Sequence, residues 1–164
     1  MNVLQTLKRI SLKSFWTLAK LCLRFPLFIF PTLSATKQCM STSTEIYGRL
    51  HYKNGPANAF RHAFWNYLIA KKCYRWRKNV DSVLMWSKKI TDWHENAFPN
   101  RELAKKMDLH NNEVGRFIFK EHFSKLENQV VDILREMTSN AVKINIQTDF
   151  TLTKNQLVYI IEDE

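Results

Sequence analysis

Residues 56–77 read PANAFRHAFWNYLIAKKCYRWR, and the fold class turns on this stretch. Asn54-Gly55 before it is a turn signal, and Pro56 suits the first position of a helix, where a missing N–H is no loss. Phe60, Phe64, Tyr67 and Leu68 recur at helical spacing as one apolar stripe. Lys71, Lys72, Arg75 and Arg77 gather at the far end, where the helix dipole favours cations. The spacing predicts a helix to about residue 77.

The segments that follow carry the same signature. A second helix is expected from Asp81 through VLMWSKKITDWHENAF to a stop before Pro99. Asn100 can cap a short third helix, RELAKKM, and Asp108 a fourth, LHNNEVGRFIFKEHF. A fifth covers about 125–140. The tail changes character: VKINI and QLVYII are rich in β-branched residues and flank the polar TDFTLTKN, which predicts a small hairpin or an ordered tail. The expected fold is mainly α, a compact bundle of about five helices with an N-terminal amphipathic helix. Residues 1–34 form a basic, apolar leading segment and 35–55 a polar connector with a short turn near Glu45–Leu50. Residues 56–140 form the helical core and 141–164 the tail.

Composition narrows the classes. The chain has 164 residues, enough for one core, and is 45% apolar with 3 Gly and 4 Pro, which excludes disordered and collagen-like proteins. Cys22, Cys39 and Cys73 match no zinc-finger spacing and read as reduced apolar filler. The net charge of +10 is uneven: residues 1–60 carry 8 Lys/Arg against 1 acid, and residues 101–164 carry 9 against 11. The basic front half points to an anionic partner.

In residues 3–33, Leu4, Leu7, Ile10, Phe15, Leu18 and Leu21 fall near helical spacing, with Lys8, Arg9, Lys13, Lys20 and Arg24 beside them. Lys20, Arg24, Pro26 and Pro31 argue against a spanning helix. An interfacial helix on an anionic membrane surface is preferred. A helix docked on the protein's own core and a cleaved signal are the alternatives. The expected location is cytoplasmic and peripheral to the inner membrane, or exported if the segment is a signal. The basic, aromatic run at 71–78 has residue types that bind nucleic acid but forms no recognised motif, so nucleic acid is disfavoured.

Three polar clusters carry the chemistry. NAFRHAFW holds Asn58, Arg61, His62 and Trp65. TDWHEN holds Asp92, His94 and Glu95, and MDLHNNEVGR holds Asp108, Asn111, Asn112, Gly115 and Arg116. Imidazoles and carboxylates are ligands for zinc or manganese. His62, His94 and Asp108 can hold a divalent ion, with Glu95 and His94 as the catalytic pair. Arg61 and Arg116, with Asn58, Asn111 and Asn112, can bind the anionic group of a substrate. Gly115 inside a helix predicts close packing against that face.

Each position also has a structural reading. His62 can be a core histidine bonded to Asn58, and Asp108 and Asn100 can be helix caps. Arg61 and Arg116 can pair with Asp92 and Glu95 in a buried network. Taken together, the clusters favour a shared site. The expected function is a hydrolase, metal-assisted, acting on a phosphorylated or lipid-linked substrate near a membrane. The alternative is a non-catalytic helical module that binds a membrane or a partner protein.

The order AFRHAFW, then DWHE, then MDLHNNEVGR resembles an uncharacterised bacterial domain family catalogued as a domain of unknown function, found in small stand-alone proteins of the Bacteroidetes type. The resemblance covers about residues 54–119. It marks Asn58, Arg61, His62, Trp65, His94, Glu95, Asp108, Asn111, Asn112, Gly115 and Arg116 as copies of the family pattern, and it implies no particular reaction.

Overall fold

In a computed structural model, which describes residues 11–98 and 100–161, Pro56 opens the central helix and the chain stays helical to Trp76. The elements in chain order are α1 (Leu12–Arg24), α2 (Ile29–Tyr47), α3 (Pro56–Trp76), α4 (Val80–Ala97), α5 (Glu102–His122) and α6 (Glu127–Ser139). Short 3-10 turns at Pro26–Phe28 and Gly48–Tyr52 flank α2, and β1 (Val142–Lys143) pairs with β2 (Val158–Tyr159). The mainly helical bundle is as expected.

The stripe Phe60, Phe64, Tyr67 and Leu68 is fully buried, but so are Ala59, Ala63 and Ala70 on other faces of α3. A helix buried nearly all round must sit at the centre of its domain. Accordingly α5, α2, α4 and α6 all pack around α3. α5 comes very close to α3 at Gly115, where an added Cβ would stand 2.1 Å from the Ala63 carbonyl oxygen.

Three expectations need correction. Residues 35–55 are no open connector, because α2 runs through most of them to Tyr47. Its buried face is Ala35, Cys39 and Ser43, small residues four apart that let the backbone lie close to α3. That face carries too little apolar bulk to register as a hydrophobic stripe. Thr32 and Thr36 hide their hydroxyls by donating to the carbonyls of Phe28 and Thr32, one turn back.

The third and fourth expected helices are one, α5. Asp108 lies inside it and caps nothing; its carboxyl group turns into the core. Of the two readings of the tail, the ordered tail holds and the hairpin does not, since Val142 pairs with Val158 and Lys143 with Tyr159 in parallel register. Parallel strands cannot be joined by a tight turn. The connecting segment instead passes beside α5, where His110 Nε2 meets the Gln156 carbonyl at 2.9 Å.

At the front, α1 starts at the cap Ser11, whose hydroxyl accepts from the Ser14 amide. The expected helical positions Leu4, Leu7, Lys8, Arg9 and Ile10 lie outside the described residues. Pro26 ends the helical path, whereas Pro31 falls within the first turn of α2, where proline is tolerated. Among the described residues no single helix is long and apolar enough to cross a membrane.

Candidate functional site

Each of α3, α4 and α5 carries a row of polar residues four apart: Asn58, His62 and Asn66; Ser87, Thr91 and Glu95; Asp108, Asn112 and Arg116. Residues four apart share one helix face, so three such rows meeting build a polar seam inside the bundle. One end of the seam brings together His62, Glu95 and Asp108. One ligand atom from each lies within 4.8 Å of the others, and the residues are 3%, 6% and 4% exposed.

Hydrogen bonds set the state of His62. The Arg61 guanidinium is 2.9 Å from His62 Nε2, and a guanidinium can only donate. Nε2 therefore carries a lone pair, and Nδ1–H donates to Asn112 Oδ1 at 3.2 Å. Burial, and then the charge of Arg61, hold the imidazole down at a pKa of about 3, so it is neutral. Asp108 Oδ1 stands 3.3 Å from that same lone pair and has no hydrogen-bond partner among the described residues. Two acceptors that close repel unless positive charge offsets them, and the Arg61 guanidinium at Nε2 already supplies some.

A proton is one solution. Burial, and then the neighbouring Glu95, push Asp108 up to about 7, against the opposing pull of Arg61 and Asn100. Glu95 goes the other way. Burial would raise it, but the His94 hydrogen bond, the two imidazoles and the Asn112 amide outweigh that and hold it below the usual range. The pair is therefore an ionised Glu95 beside an Asp108 that keeps its proton almost to neutrality, the separation of carboxyl groups that acid–base sites exploit. A divalent cation is the other solution, and imidazole plus two carboxylates is a suitable donor set.

The other expected residues divide into rim and scaffold. His94 is half-exposed; its Nδ1 reaches Glu95 Oε1 at 3.3 Å, and its ring lies against Trp65 and Phe98. It borders the buried trio rather than joining it. Arg61 is half-buried and bonded to His62, and Asn58 is buried with its Oδ1 unpartnered among the described residues. Asn112 bridges His62 and Glu95, donating to Glu95 Oε1 at 3.3 Å. Asn111 is occupied elsewhere, gripping the Val158 backbone by donating to its carbonyl at 2.8 Å and accepting from its amide at 2.9 Å.

Arg116 faces the far end of the seam. Arg116 donates to Asn66 Oδ1 at 3.0 Å and feels the charge of Asp92, as expected, though no direct ion pair joins the two, while Arg61 bonds to His62 rather than to Asp92 or Glu95. Asn66, Ser87 and Thr91 escape the sequence reading, although extending the His62 row by four residues, and the Glu95 row backwards, reaches all three. Asn66 Oδ1 also accepts from Ser87 and Thr91, while its Nδ2 donates to Asn112 Oδ1 at 2.7 Å.

A model of a family described as a domain of unknown function, DUF6973, matches residues 19–142. The chain belongs to that family. The DUF6973 match contains all three rows of the seam, so the site belongs to the domain itself, while β2 lies beyond it. No curated protein and no solved structure matches the chain.

The two buried titrations have opposite signs. A raised Asp108 contributes stability present below about pH 4 and lost as pH climbs towards 7. A depressed His62 contributes stability present above about pH 6.5 and lost as pH falls. Between these limits they oppose one another. Asp108→Asn should unmask the His62 term, so stability should rise with pH more steeply than in the parent, by up to about 1.4 kcal/mol per pH unit. Urea unfolding at pH 4.5, 5.5 and 6.5 reads this directly, and parallel profiles would show that Asp108 holds no proton there.

Proposed function

We propose that this centre is the site of a hydrolase in which His62, Glu95 and Asp108 hold a divalent cation, zinc or manganese, and that the substrate is phosphorylated or lipid-linked. The supporting observation is the 3.3 Å approach of the His62 Nε2 lone pair to the unpartnered Asp108 Oδ1. In this reading Glu95 moves from lone base to ligand. A cation held there would supply an activated water, and His94, half-exposed and hydrogen-bonded to Glu95, is placed to exchange protons between the site and the solvent. Arg61, now bonded to His62 Nε2, would be free to turn its forked donors to a phosphate if a cation were held by His62.

One observation favours the alternative, a non-catalytic module held by a polar network: all three central residues are at most 6% exposed. Metal binding separates the two. Chelator-treated protein should take up about one equivalent of zinc or manganese. At a hundredfold excess over Kd the gain is about 2.7 kcal/mol, a rise in melting temperature of roughly 5–10 °C for a domain of this size. Asp108→Asn and Glu95→Gln should abolish the uptake, and a chromogenic phosphate ester should be hydrolysed only by the loaded parent. A parent with neither uptake nor thermal shift leaves the network reading in place.

A further inference from the structure

A surface helix ordinarily lays its apolar side on the core. In α1, Leu18 and Leu21 do pack inward, yet Leu12, Trp16 and Leu23 point to solvent, and Leu27, Phe30 and Leu33 continue the exposed apolar run through the elbow into α2. These six are 54–81% exposed. Scattered single apolar residues on a surface mean little, but a run this long marks a binding surface.

Charge identifies what covers it. On α1, Lys13, Lys20 and Arg24 lie together at one flank of the apolar stripe, and with Lys89 of α4 they line a groove of about 650 Å3 between the two helices. The single acid in that lining, Asp92, is already paired with Lys88. An exposed apolar stripe with a tryptophan, flanked by cations, matches the boundary between anionic headgroups and acyl chains. α1 and the helical segment Pro26–Tyr52 meet at a bend of 100°, and only as a pair do they have the length and apolarity of a membrane span.

We propose that α1 and the elbow after it are the surface by which this protein lies on an anionic phospholipid bilayer. Leu12, Trp16, Leu23, Leu27 and Phe30 enter the acyl boundary, and Lys13, Lys20, Arg24 and Lys89 take lipid phosphates in the groove. This is independent of the reaction proposed for the buried centre.

The test is co-sedimentation of the full chain with vesicles of phosphatidylglycerol in phosphatidylcholine, and with phosphatidylcholine alone. Binding should be at least tenfold stronger to the anionic vesicles. The triple change Lys13→Ser, Lys20→Ser, Arg24→Ser should lower it about a hundredfold, since each surface cation contributes about 1 kcal/mol. Trp16→Ser with Leu23→Ser should lower it tenfold or more without moving the melting temperature, both side chains being exposed. Brominated acyl chains should quench the parent's tryptophan emission, with quenching diminished in Trp16→Phe and preserved in Trp76→Phe. Equal binding to both vesicle types, or binding indifferent to the Trp16/Leu23 change, overturns the proposal. So does self-association that the same change abolishes in a protein that ignores vesicles, because a second copy would then be what covers the stripe.

Discussion

Gly115→Ala should destabilise the protein by about 2 kcal/mol or more, although the same exchange at an open helical site would help. Alanine is favoured over glycine inside a helix by about 1 kcal/mol. Here the new methyl group would stand 2.1 Å from the Ala63 carbonyl oxygen and 2.8 Å from the Ala63 carbonyl carbon and Cα. Those are backbone atoms at the middle of α3, and no rotamer change relieves the clash. The two helices must separate, and overpacking of this kind costs about 1–3 kcal/mol and sometimes more. Separation also pulls His62 on α3 from Asp108 on α5, so any cation response should weaken along with stability. A urea midpoint at or above the parent's would show that the helices do not touch through Gly115.

Asn66→Ala should cost about 3–5 kcal/mol, the other large effect. The Asn66 amide joins all three rows. Its oxygen accepts from Ser87, Thr91 and the Arg116 guanidinium, and its nitrogen donates to Asn112 and to the His62 carbonyl. Truncation takes an acceptor from Arg116, whose pKa burial depresses against the opposing pull of Asp92 and Glu113, and removes one of the two donors that fix Asn112, the residue linking His62 to Glu95. Because Arg116 and Asn66 touch, the double change with Arg116→Met should cost less than the two single changes added together. A loss below about 1 kcal/mol for Asn66→Ala, read by urea unfolding, would mean that the seam is organised some other way.

Much of this architecture is readable from local spacing. Apolar residues three and four apart place α3 and α4 with nearly their observed ends, because a helix that packs on a core must repeat its oily side chains at that period. The period fails for α2, whose inner face is built of Ala35, Cys39 and Ser43. It fails again at Asp108, where a residue type that commonly caps helices sits in the middle of one. A capping side chain and a buried functional carboxyl look alike until the neighbouring helices are in place.

The candidate site follows the same division. That His62, Glu95, Asp108 and Asn112 belong together is legible in the density of costly polar residues at four-residue spacing, since burying them apart would leave each unsatisfied. Which of them meet is another matter. His94 and Glu95 are sequence neighbours, and a helix turns about 100° between them. The way α4 is rotated against α3 and α5 sends the carboxylate inward and leaves the imidazole at the rim. Likewise the helical spacing in α1 marks an amphipathic helix, but only its seating on α4 and the core separates Leu18 and Leu21, which pack inward, from Leu12, Trp16 and Leu23, which face solvent. Period and composition are properties of the chain alone, whereas direction is set by what each helix packs against.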